Sequence, residues 1–155
     1  MNEKSCDTRC SMSASLGLLV LRLVAGASLA MHGWAKLHEP LHSEFFEGVS
    51  HMGAPFESAP KLFAYASVAA ELGGGILLAV GGLTRLAAFL LLCNFAVAIW
   101  KVHLHDPYIP KMEPAAIYAA IAFAFLLAGA GRISVDGILF CKGKKEEVPL
   151  EDEKF

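Results

Sequence analysis

The sequence predicts an all-α membrane protein, a four-transmembrane-helix bundle with a short interfacial helix in its first outer loop. Three observations carry that prediction. Of 155 residues, 55% are hydrophobic and only 18% charged, where soluble domains hold about a quarter charged; mean hydropathy is +0.52. The charges collect at the ends of the chain and in connecting loops. Four stretches are apolar on every face and approach the roughly 20 helical residues that cross a hydrocarbon core. With no polar stripe to meet water, they argue against a soluble helical core.

The elements follow in order. Residues 1–14 form a polar segment, and residues 15–137 the membrane domain. The first span covers about 15–36 and is interrupted by Arg22. It exceeds the roughly 7–15-residue apolar core of a signal peptide, so it reads as a retained span. In the long connection that follows, Phe45, Phe46, Val49 and Met52 recur at helical spacing with Glu44, Glu47 and Ser50 between them. That pattern suits a short amphipathic helix at the membrane interface, ended by Gly53-Ala54-Pro55. The second span covers about 62–83, broken only by Glu71, and a Gly81-Gly82 turn leads into the third, about 84–104, with Asn94 at its centre. The fourth, about 114–131, opens on Pro114, a favourable first-turn residue. The tail, 138–155, mixes both charge signs and has little to bury, so disorder is expected there.

Four spans place both termini on one side. That side would hold eight Lys and Arg residues (Lys4, Arg9, Arg85, Arg132, Lys142, Lys144, Lys145, Lys154) against four opposite (Lys36, Lys61, Lys101, Lys111). The positive-inside rule then puts both termini in the cytoplasm. A formal net charge of -2 offers no basic surface for nucleic acid. Cys6 and Cys10 form no C-x-x-C pair, Cys141 shares their expected side, and Cys93 reads as apolar filler.

An ionisable residue inside a bilayer is a functional hypothesis by default, and this chain has two, Arg22 and Glu71. At ~1.5 Å per residue, Arg22 lies ~10 Å, Asn94 ~14 Å and Glu71 ~16 Å from the cytoplasmic ends of their spans. A long arginine side chain can bridge such a difference. The expectation is therefore a buried polar site in which Arg22 pairs with Glu71 and Asn94 bonds nearby. It would serve either helix register or a substrate or proton. Ala66-xxx-Ala70-xxx-Gly74 around Glu71 has the spacing of a close helix-packing seam.

All six histidines fall at outer span ends or in outer loops. His32 and Lys36, and on the third span Lys101 and His105, share helix faces with spacing of four; His103 lies between the latter two. This outer polar group (His32, Lys36, Lys101, His103, His105) has two readings: ordinary interfacial residues, or a pocket for a metal, haem or quinone head-group. No metal-ligand or haem-attachment motif is present, so the cofactor stays open, with quinone among the candidates.

Several motifs resemble one family. They are Leu21-Arg22-Leu23-Val24, Met31-His32-Gly33-Trp34-Ala35-Lys36-Leu37, Ala70-Glu71-Leu72-Gly73-Gly74-Gly75, Gly81-Gly82-Leu83-Thr84-Arg85-Leu86-Ala87-Ala88, and Gly129-Ala130-Gly131-Arg132-Ile133-Ser134-Val135-Asp136. In this order, over most of residues 16–137, they resemble the DoxX family of small four-span bacterial membrane proteins. The family's usual Gly-Pro-Gly is Gly-Ala-Gly here. The resemblance implies a bacterial inner membrane and a polar signature of Arg22, His32, Lys36, Glu71, Arg85 and Asp136. It also implies a link to quinone-dependent electron transfer or to thiol and oxidative stress.

Three functions are therefore carried forward. The first is a redox-associated subunit acting with a soluble oxidoreductase partner, without a self-sufficient catalytic motif of its own. The second is a non-catalytic scaffold or assembly factor for such a complex. The third is a small transporter, for which four spans would need a homo-oligomer.

Overall fold

A computed structural model describes residues 3–38, 41–104 and 106–141. Helix α1 runs Glu3–Ala35, α2 Leu41–Ser50, α3 Pro60–Val80, α4 Thr84–Ala98, α5 Glu113–Ala128 and α6 Val135–Cys141. A 3₁₀ turn, Phe56–Ser58, precedes α3. Helix α4 continues as a π-helical turn, Ile99–His103, and a kinked segment, Tyr108–Met112, leads into α5. Four stretches are long and apolar enough to cross a membrane: Met12–Ala35, Pro60–Val80, Thr84–His103 and Tyr108–Ala128. The protein is an all-α, multi-pass membrane bundle.

Two boundaries differ from the sequence reading. Helix α1 begins at Glu3, not at the edge of the apolar stretch. At ~1.5 Å per residue its 33 residues extend ~50 Å, well beyond a ~30 Å hydrocarbon core. Helix α6 carries order through Cys141, into the tail expected to be disordered; residues 142–155, the rest of that tail, lie outside the described residues, as does His105.

Helices α1 and α3 make the closest pairing. A Cβ on Gly75 would lie 2.6 Å from the Ala30 nitrogen and 2.7 Å from the Gly26 carbonyl oxygen; one on Gly33 would meet the Leu72 backbone. Backbone-to-backbone approach of this kind is what small residues permit between membrane helices. The expected 66/70/74 seam is not where it happens. Gly74 meets only the Leu91 side chain, while Ala66 and Ala70 line a cavity. A buried cluster that includes Leu29, Leu78, Leu91, Phe95 and Phe125 joins α1, α3, α4 and α5. Large apolar side chains such as Val24, Ile76, Phe89 and Leu127 point outward, each at least half exposed, as a lipid solvent requires.

The α3–α4 turn is closed from afar. Gly81 takes a left-handed conformation (φ 71°), and the Gly82 N–H reaches back to the Leu77 carbonyl at 3.0 Å, a Schellman-type ending. The residue before α4 is Leu83, which has no side chain able to cap a helix. Asp136 of α6 does so instead: its carboxylate accepts the Leu83 N–H at 2.8 Å and the Thr84 N–H at 2.9 Å. Its own N–H donates to the Gly81 carbonyl at 2.8 Å.

Candidate functional site

The polar residues expected to form one site form two. Arg22 does not pair with Glu71. Its guanidinium donates to the Ala130 carbonyl at 3.1 Å and to the Ile133 carbonyl, and it packs beneath Gly81 and Ser134. Counting depth along the axis missed this because side chains of a helix lean toward its N-terminus. On α1 that direction carries Arg22 toward the Gly81–Asp136 turn region and away from Glu71. At this end, burial alone would push the Asp136 carboxyl up, but N–H donors from Thr84 and Leu83 and the nearby Arg22 charge outweigh it and hold it below the usual range. Arg85 donates to the Leu127 carbonyl at 3.4 Å. Arg22, Arg85 and Asp136 thus tie helix ends together.

The same lean brings Lys36, at the end of α1, back into the bundle, and carries Glu71 of α3 toward it. Lys36 Nζ meets Glu71 Oε1 at 2.7 Å, with the glutamate side chain 5% exposed. Asn94 Nδ2 donates to the same oxygen at 2.9 Å. The expected neighbourhood of Glu71 and Asn94 is present, with lysine in place of arginine. Glu71 Oε2 is buried and has no hydrogen-bond partner.

This network lies in the wall of a cavity of about 850 Å³ between the N-terminal half of α3 and the C-terminal half of α4. Helix α2 supplies Phe45 and Val49, α3 supplies Phe63, Ala66 and Ala70, and α4 supplies Cys93 and Asn94; Lys101 and His103 come from the π-helical turn. Ala66 and Ala70, on the N-terminal side of Glu71, thus make room rather than a seam. Lys36 Nζ sits 4.4 Å from the Phe45 ring centroid, and Lys101 Nζ 4.6 Å from that of Trp100. Val49, 3% exposed, shows that the apolar face of α2 is turned onto the bundle.

The outer polar group divides accordingly. Lys36, Lys101 and His103 line the cavity. His32 is exposed and meets Tyr118 edge-on at 6.0 Å. His103 Nδ1 lies 3.0 Å from Asp106; that hydrogen bond, helped by Lys111, holds the Asp106 carboxyl below its ordinary range. Among the described residues, no three His, Cys, Asp or Glu side chains gather as a metal site. Phe45 of α2, Phe56 of the turn before α3, and Cys93 were not foreseen as cavity lining; the amphipathic pattern of residues 45–52 was the one signal, and only for Phe45.

Fold and cavity together define a small multi-pass membrane protein with a cavity of mixed apolar and polar lining, walled in part by the short helix α2. Residues 17–104 match the DoxX family, more than half of the chain, and the protein belongs to that family. The matched region includes Arg22, Lys36, Glu71 and Asn94 but stops short of Asp136. The chain is 30% identical over 135 residues to a Bacillus subtilis protein named "Putative oxidoreductase CatD", covering 86% of this chain and 93% of that one. It is also 30% identical over 131 residues to an uncharacterized protein of Haemophilus influenzae, covering 81% and 92% respectively. No solved structure matches.

Proposed function

We propose that this protein is a redox-associated membrane subunit that holds a quinone-class ligand in the α3–α4 cavity and works with an oxidoreductase partner. The observation that carries the reading is the cavity itself: apolar and aromatic walls with a few convergent polar groups, the usual make-up of a small-molecule site. Phe45, Phe56 and Phe63 offer ring faces, while Lys36, Glu71 and Asn94 offer a charged hydrogen-bonding network. The relative named as an oxidoreductase supports the redox part. A pure scaffold has no use for such a cavity. The protein's share is to bind and orient the ring and to present Glu71 and Lys36 to its oxygens, with the electrons exchanged by the partner. Both termini are proposed to lie in the cytoplasm and the cavity near the outer face of a bacterial inner membrane, from the charge asymmetry of the loops.

The test is titration of a short-chain quinone into the purified chain in nanodiscs. Saturable binding that Ala70→Trp abolishes, with the helical signal and thermal midpoint retained, supports the reading. Binding that is non-saturable, or equal in Ala70→Trp, overturns it.

A further inference from the structure

The two oxygens of Glu71 are unequally served. Oε1 receives both available donors, Lys36 Nζ at 2.7 Å and Asn94 Nδ2 at 2.9 Å, while Oε2 receives none although the side chain is only 5% exposed. Buried polar atoms are almost always paired, so an orphan calls for an explanation. A carboxylate paired with an ammonium can only accept hydrogen bonds, so what Oε2 lacks is a donor. Glu71 forms part of the wall of a largely apolar and aromatic cavity, whose other polar lining includes Lys36, Asn94, Lys101 and His103. A ligand able to complete it must carry an O–H or N–H group on an apolar ring. A carbonyl brings only lone pairs and would face the carboxylate with like polarity.

We infer that the cavity is selective for the reduced, hydroxyl-bearing form of its ligand, a hydroquinone or related diphenol, with Glu71 Oε2 accepting the ligand's O–H. This rests on the reading of the cavity as a quinone-class site, and it goes further by naming the oxidation state bound and the atom that reads it. A hydrogen bond to a charged acceptor is among the stronger ones. The reduced form should therefore bind about tenfold or more tightly than the oxidised one.

The experiment compares decyl hydroquinone with decyl quinone, titrated anaerobically by calorimetry into the full chain in nanodiscs. The wild-type comparison needs no variant, so it does not depend on whether a substituted chain folds. Tighter binding of the hydroquinone supports the inference, and Glu71→Gln, whose amide can donate to a carbonyl, should erase or reverse the preference. Equal affinity, or tighter binding of the quinone, overturns the inference and leaves the cavity as a quinone-class site. Saturable binding of neither form overturns both. A preference that survives unchanged in a folded Glu71→Gln protein assigns the discrimination elsewhere and overturns the role of Oε2.

Discussion

Neutralising Glu71 tests the pairing that the structure substitutes for the one expected from depth. At 2.7 Å and an effective dielectric near 20, the Lys36–Glu71 attraction is roughly 6 kcal/mol. Removing two charges from water takes back several kcal/mol, leaving a net coupling of about 1–3 kcal/mol. Ordinary interhelical hydrogen bonds in membranes average only about 0.6 kcal/mol, so the two cases can be told apart. The assay is a double-mutant cycle on Lys36→Met and Glu71→Gln, read by reversible unfolding in bicelles. A parallel cycle on Arg22→Met and Glu71→Gln should give coupling within about 0.5 kcal/mol of zero, as for residues that share no partner. A Lys36–Glu71 coupling below that level, or an Arg22–Glu71 coupling larger than it, would refute the geometry described here.

Three further outcomes are expected. Gly75→Val should prevent folding or lower stability by about 3 kcal/mol or more, because its Cβ would lie 2.6 Å from backbone; Gly73→Ala, with nothing within 4 Å, should be neutral or stabilise by up to ~1 kcal/mol. Unfolding midpoints of the two variants check the contrast. Asp136→Asn should lower stability by about 1–2 kcal/mol through the weakened cap on α4. Because the Asp136 carboxyl is held below its ordinary value of 3.8, its contribution is present above that pH and lost as pH falls through the lower folded-state value. A pH series of unfolding in wild type and Asp136→Asn reads the difference. Cys93, exposed and lining the cavity, should react with maleimide in a chain whose other cysteines are replaced by serine. Decyl hydroquinone should slow that reaction, measured as labelled mass against time.

The membrane fold was legible because hydropathy and length are properties of contiguous sequence. The four spans, the glycine turn at residues 81–82 and the amphipathic stretch that became α2 could all be read directly. The start of α1 could not, since helix propensity carries residues 3–14 past the apolar boundary without any change of period. The site was half legible. Glu71 and Asn94 announced themselves as polar residues in apolar helices, and axial rise placed them at one level. Arg22, buried as expected, was paired with Glu71, and Lys36 was grouped with the outer polar residues, because rise locates Cα atoms, whereas long side chains act at their tips. The tilt of Cα–Cβ bonds toward the N-terminus sends the two in the same direction along α1, Lys36 into the bundle and Arg22 toward its end. The capping role of Asp136 was hidden for another reason: it joins residues more than fifty positions apart, a separation that no local pattern records.

The most direct measurement of the central claim, that the α3–α4 cavity is a ligand site, is photo-crosslinking with an azido-quinone in nanodiscs, followed by peptide mapping. Adducts should fall on residues 45–56 and on the cavity faces of α3 and α4 around Ala66, Ala70 and Cys93, and excess decyl hydroquinone should suppress them. Adducts spread over the outward lipid-facing residues such as Val24, Phe89 and Leu127, unaffected by the competitor, would contradict it.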